Sequence, residues 1–263
     1  MCVCVSHRSV DLINNSMLPL YQLFGVGVDD DISPPALRVM KRGAKPLGEG
    51  EVEFFCPVVR SLKPINYVDP GMIKKVRGSA ISCRISPTSV ARVIYSAKGV
   101  LHELLPDVWI ATDAHSSGGN KVGEKRKKGG CGPSPGLSCV LTTESTTGVH
   151  LSSEICLDAS ERRGQTLPED IGTRAATLLL EEVQRGGCVD SASQTFILTL
   201  MALSPEDISR VRIGTLSKYT MRSLRSLKDA FDIEFKLKAD AETKTIVMSC
   251  LGVGFRNSAK KVT

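Results

Sequence analysis

Chemistry in this chain would centre on RGGCVDSASQTFILTLMAL, residues 185–203. Gly186, Gly187 and Asp190 stand there in front of a nearly unbroken apolar run. A glycine-rich loop that opens a helix can cradle a phosphate, because backbone N–H groups and the helix N-terminus both favour an anion. The same glycines can instead make a tight turn that lets a buried helix dock. Histidine is the usual acid, base or nucleophile near neutral pH. None of the four, His7, His102, His115 and His150, is close to this stretch in sequence. The nine cysteines show no metal-finger spacing; Cys2 and Cys4 form a Cys-x-Cys pair with no second pair nearby. They read as reduced thiols, and no cofactor or metal is expected. A second chemical feature is KVGEKRKK, in a Gly/Ser/Lys-rich stretch over 114–136. Its Lys121, Lys125, Arg126, Lys127 and Lys128 form a tract able to touch RNA phosphates, on a loop expected to be mobile over 116–134.

Helices and strands must position these residues. Apolar residues at Val90, Val93, Ile94, Ala97, Leu101 and Leu104 predict one buried stripe on a helix that starts near Pro87. TLPEDIGTRAATLLLEEVQRGG predicts a second helix, capped by Thr166 and Glu169, buried through Ile171, Ala175, Leu178, Leu179 and Val183, and ended by Gly186 and Gly187. Ser191 and Gln194 repeat the capping-box spacing before the apolar helix, which should be covered by neighbours all round. A further helix over 220–231 puts Met221, Leu224, Leu227 and Phe231 on one side. Arg222 and Arg225 point away from it, Lys228 lies at its border, and Arg225 stands four residues before Asp229, a spacing that suits an ion pair. Between these helices run strand patterns, among them SRVRIG, DIEFKLKA and TKTIVMSCLGVGF. The alternation is that of an α/β protein, not a helical bundle.

The chain has 263 residues, 41% hydrophobic and 24% charged, enough for one or two ordinary cores. No apolar run approaches the length of a membrane span. Residues 208–263 carry 12 Lys and Arg against 5 Asp and Glu, a net +7 within a total of +6. Such a basic C-terminal part suits an anionic partner such as RNA.

Four segments, KRGAKPLGEGEVEFFCPVVRSLKPI, GPSPGLSCVLTTESTTGVHLSSE, LPEDIG…LLLEEVQRGGCVDSASQ and LSCVL…SCLGVGFRN, resemble the RNA 3′-terminal phosphate cyclase superfamily, and within it the nucleolar cyclase-like branch. The resemblance runs from about Val10 to Lys260. It implies an α/β (α+β) fold in which repeated βαβαββ units form a large domain with a smaller α/β domain inserted. Applied here, 1–78 would be a remnant of the large domain, 79–163 the insert and 164–263 the last repeat. Family members carry a further repeat at the N-terminus, so the sequence reads as N-terminally truncated. Cyclases adenylylate a histidine in a Ser-x-His-x-x-Thr-Asn pattern. The matching stretch is SKYTMRS, so Tyr219 stands at the histidine and Arg222 and Ser223 at the Thr and Asn. The cyclase Asp-Gln falls on Ser193 and Gln194. A phenol of pKa about 10 is a poor nucleophile without an activating base, so a non-catalytic protein is expected.

The branch implies a nuclear, nucleolar factor in pre-rRNA processing for 18S maturation. Its partners would be a ribosome-biogenesis GTPase, with pre-rRNA and small nucleolar RNP in the small-subunit processome. Arg222, Arg225 and Lys228 are the candidate dock for an acidic segment of that GTPase. The alternative is an RNA-processing enzyme, either an endonuclease or an ATP-dependent cyclase.

Overall fold

The computed structural model describes residues 8–28, 33–115, 130–158 and 166–258. Ser9 caps the first helix by accepting the Leu12 N–H at 3.2 Å. That helix runs as α1 (Val10–Leu12), a π-helical turn (Ile13–Met17) and α2 (Leu18–Leu23), and the chain then turns at Gly25, φ +83°. Strands β1 (Ala36–Lys41) and β2 (Glu51–Phe55) form an antiparallel hairpin. There follow β3 (Asn66–Tyr67), β4 (Ile73–Cys83), α3 (Pro87–Leu101), β5 (Val108–His115), β6 (Gly136–Ser145), β7 (His150–Asp158) and α4 (Pro168–Arg185). The chain continues through α5 (Gln194–Leu203), β8 (Ile208–Ile213), α6 (Lys218–Phe231), β9 (Lys236–Asp240) and β10 (Thr245–Leu251). The fold is α+β.

Two four-stranded sheets organise it. One has the order β5-β4-β6-β7, with β4 and β5 parallel and the other pairs antiparallel. Helices α3 and α4 cover this sheet. Val90, Val93, Ala97 and Leu101 meet Ile171, Ala175 and Leu179 over Val76, Ala80, Cys139 and Leu141 in one core. The two helices approach backbone to backbone at Gly172, where a Cβ would lie 2.2 Å from the Val93 carbonyl oxygen. Leu104 does not join the stripe expected of it and is 67% exposed. Helix α3 stops at Leu101 and turns through His102, so the helical phase is lost before Leu104 is reached.

The other sheet has the order β3-β8-β10-β9. Short β3 lies parallel beside β8, and β10 is antiparallel to both β8 and β9. In chain order β3, α5, β8, α6, β9 and β10 make one βαβαββ unit, and the layer from β4 to α4 is inserted between β3 and α5. The boundary expected at residue 78 falls inside β4. Ile197, Leu198 and Met201 of α5 and Leu227 of α6 pack on Val211, Ile213, Met248 and Cys250. As expected for a helix covered all round, no residue from Phe196 to Leu203 is exposed.

Both expected capping boxes are displaced. Pro168 occupies the first turn of α4, so Leu167 is the N-cap, and its N–H donates to the Asp170 carboxylate at 3.3 Å. Glu169 is instead held by Arg92 of α3, with Nη2 to Oε2 at 2.8 Å. A turn at 191–193 separates Ser191 from α5. Ser191 hydrogen-bonds the Glu182 carboxylate at 2.9 Å, and Gln194 turns elsewhere.

Candidate functional site

Helix α4 ends in two left-handed glycines, Gly186 at φ +71° and Gly187 at φ +91°. Residues with a Cβ rarely hold this conformation. The turn presses onto β8. Gly187 bridges to Ile213, and the Cys188 N–H donates to the Arg212 carbonyl at 2.8 Å. A Cβ on Gly187 would stand 2.6 Å from the Gly214 nitrogen. The Gly186 N–H returns to the Val183 carbonyl at 3.1 Å. The amides of Gly186 and Cys188 are therefore engaged by the protein itself, which is the geometry of a docking turn.

Asp190 is 1% exposed and continues this role. One carboxylate oxygen accepts the Ser193 N–H at 2.7 Å. The other accepts the Ser152 hydroxyl at 2.6 Å and the Ser152 N–H at 3.2 Å. The turn is thereby tied to β7 through the Ser152 hydroxyl and N–H.

Ser193 and Gln194 are each 1% exposed. Gln194 joins α5 to the start of α6. Its Nε2 donates to the Thr215 carbonyl at 3.0 Å, and its Oε1 accepts from the Thr220 hydroxyl at 2.9 Å and the Ser217 N–H at 3.4 Å. The Ser193 hydroxyl is buried and has no hydrogen-bond partner among the described residues. Ser217 caps α6, accepting from the Thr220 N–H at 3.0 Å. Tyr219, two residues into α6, is 65% exposed. The structure thus brings Ser193, Gln194 and the start of α6 together. Gln194 faces the protein, while Tyr219 faces solvent.

Arg222 and Arg225 are exposed, and Leu227 is buried beneath them. Among the described residues Arg225 makes no ion pair with Asp229, contrary to the helical spacing. Lys228 pairs with Glu234 at 2.7 Å. Met221 and Phe231, at the two ends of the expected apolar side, are 43% and 39% exposed. The tract holding Lys121, Lys125, Arg126, Lys127 and Lys128 lies outside the described residues, as do His7, Cys2 and Cys4. His102 caps α3 and is exposed. His115 sits 2.5 Å from Asp113. His150 stands opposite Glu144 in the β6–β7 ladder, and burial lowers its pKa below the ordinary value.

Two features escape the sequence. Arg42 clamps Asp11 and Asp113, with Nη2 at 2.9 Å and 2.7 Å from them. Burial works against the guanidinium charge, and the two carboxylates more than offset it. A cavity of about 480 Å³ opens beside it between α1, the β1–β2 hairpin and the sheet of β4, β6 and β7. These residues are 31 and 71 positions apart, and no local pattern links them. The second feature is the alternation of cations in SRVRI and KLKAD. Read at period 2, it places them on one face of β8 and of β9.

Residues 68–184 match the insert domain of RNA 3′-terminal phosphate cyclase, a span that takes in β4 to β7 with α3 and nearly all of α4. The chain is 42% identical over 258 residues to the RNA 3′-terminal phosphate cyclase-like protein of Homo sapiens, covering 96% of this chain and 65% of that protein. It is 38% identical over 257 residues to the rRNA processing protein rcl1 of Schizosaccharomyces pombe, covering 96% and 65%. To the probable RNA 3′-terminal phosphate cyclase-like protein of Arabidopsis thaliana it is 33% identical over 265 residues, covering 97% and 67%. The chain therefore spans about two thirds of the length of these relatives.

Proposed function

The chain belongs to the RNA 3′-terminal phosphate cyclase-like proteins, and from that footing we propose that it is a non-catalytic ribosome-biogenesis factor acting in rRNA processing. The relative named for rRNA processing in Schizosaccharomyces pombe supports the process. The finer assignment is to nucleolar pre-rRNA processing for 18S maturation, within the small-subunit processome. The observation that carries the non-catalytic part is the state of the glycine turn and Gln194. The turn is pressed onto β8 and Gln194 is wholly engaged in holding α6. Tyr219 stands where the cyclase histidine would be, and Ser193 offers no charge where the cyclase has Asp.

The exposed Arg222 and Arg225 are the proposed dock for an acidic segment of a ribosome-biogenesis GTPase. A guanidinium fork can hold a carboxylate through two hydrogen bonds. Lys228 enters the dock only by releasing Glu234. Depleting the protein in cells and following pre-rRNA by northern blot tests the process: an 18S precursor should accumulate, and normal 18S maturation would overturn the assignment. Incubation with radiolabelled ATP tests the chemistry, with no covalently labelled protein expected. A labelled band lost in Tyr219→Phe would overturn the non-catalytic reading. Titration calorimetry of an Arg222/Arg225/Lys228 triple alanine variant against the GTPase tests the dock, which unchanged affinity would remove.

A further inference from the structure

The sheet β3-β8-β10-β9 has one face under α5 and α6 and one face open. Strand alternation decides which side chains occupy each face. Ser209, Val211 and Ile213 of β8, with Met248 and Cys250 of β10, turn inward and are buried. Their neighbours turn outward. The ladder register aligns the outward residues in rows. Lys236, Ser249, Arg210 and Asn66 stand opposite one another across all four strands. Lys238, Val247 and Arg212 form the next row. Strand spacing places Lys236 and Arg210 about 10 Å apart, and Lys238 lies about 7 Å along β9 from Lys236.

The charge on this face is one-sided. Asp240, the next outward residue of β9 and opposite Thr245, is taken up by Arg212, with Nη1 to Oδ2 at 2.8 Å. Arg212 also donates through Nε to the Val68 carbonyl at 2.8 Å, which fixes it flat across the sheet. Arg210, Lys236 and Lys238 are exposed, and among the described residues none of them makes an ion pair. Three free cations thus cluster on a surface held rigid by four paired strands. The remaining outward residues, Asn66, Val247, Ser249, Ile208 and Leu251, include no aromatic ring on which a base could stack. Such a surface suits a regular anionic backbone and offers no stacking platform for bases.

We propose that this open face, through Arg210, Lys236 and Lys238, holds the phosphate backbone of RNA without regard to sequence. The inference rests on the rRNA-processing reading and names where the RNA lies. Helices α5 and α6 cover the opposite face, so the exposed arginines of α6 and the RNA are on different sides of the unit. Both can be occupied at once.

The test uses the full chain and a labelled single-stranded transcript from the 18S precursor, with a poly(U) strand of equal length. Filter binding is measured across a salt series. Neutralising all three cations, as Arg210→Gln with Lys236→Gln and Lys238→Gln, removes three phosphate contacts. At about 0.7 per contact on a single strand, the slope of log affinity against log salt should fall by about 2. The advantage of the wild type should then shrink roughly 16-fold between 50 and 200 mM salt. Both RNAs should behave alike, the thermal midpoint should stay put, and Lys236→Arg with Lys238→Arg, Arg210 being kept, should leave the slope at that of the wild type. An unchanged slope in the triple variant overturns the proposal. So does loss of binding only when the 121–128 tract is neutralised, or tight binding of a poly-glutamate peptide with none of RNA. Failure of the two readings is separable. If depletion arrests 18S maturation while the triple variant binds RNA like the wild type, only the face is wrong. Normal 18S maturation after depletion removes the underlying reading, whatever the titration gives.

Discussion

Gln194→Ala separates a structural tie from a leftover ligand contact. Gln194 is 1% exposed and holds Thr215, Ser217 and Thr220 at 3.0, 3.4 and 2.9 Å. Two of these bonds have good geometry, and one is long. Neutral hydrogen bonds contribute about 0.5–1.5 kcal/mol each, and a buried partner left unpaired costs more. The buried Thr220 hydroxyl, 0% exposed, keeps a second bond to the Ser217 hydroxyl at 2.8 Å. The two good bonds of Gln194 therefore put the loss at about 2 kcal/mol. For a chain of this size that corresponds to a fall in Tm of roughly 4–8 °C. Thermal unfolding followed by circular dichroism at 222 nm measures it. A fall of less than about 2 °C, under 1 kcal/mol on the same scale, would refute the reasoning. Gln194 would then be dispensable to the fold and free for a ligand.

Gly187→Ala should cost about 3 kcal/mol or more in urea unfolding, since its Cβ meets the Gly214 backbone at 2.6 Å with φ at +91°, while left-handed backbone alone costs about 1–2 kcal/mol. Gly186→Ala should be milder, because its nearest obstacle is the Thr245 methyl at 3.0 Å. Ser193→Ala removes a buried hydroxyl that has no partner among the described residues and should be neutral or stabilising by up to about 1 kcal/mol in the same assay. Arg212 and Thr243 hold the Asp240 carboxyl down at about 2. A depressed carboxylate contributes stability that is present above its ordinary value near 3.8 and lost as pH falls toward 2. Asp240→Asn should therefore lower Tm at pH 6 and flatten the acid limb between pH 4 and 2. An acid limb identical to the wild type would show that Asp240 is not held.

The four long helices are legible in the sequence because their signals are local. Val90, Val93, Ala97 and Leu101 recur at helical spacing, and Gly186 with Gly187 marks a stop by backbone freedom alone. Tyr219 and Ser193 are likewise read from a motif without coordinates, because residue identity at an aligned position needs no geometry. Caps were only half legible. Thr166 with Glu169 and Leu167 with Asp170 sit one residue apart, and the choice fell to Pro168 and to Arg92 reaching over from another helix. Tertiary structure alone decided the rest. The two-residue β3 has no periodicity to read, and it becomes a strand because β8 offers it hydrogen bonds. Arg42 finds Asp11 and Asp113 only once α1, β1 and β5 converge. The cationic face shows the division most plainly. Period 2 tells which residues of β8 and β9 share a side of each strand. That Arg210 and Lys236 share a row depends on β10 lying between them in register, a long-range pairing that no local window contains.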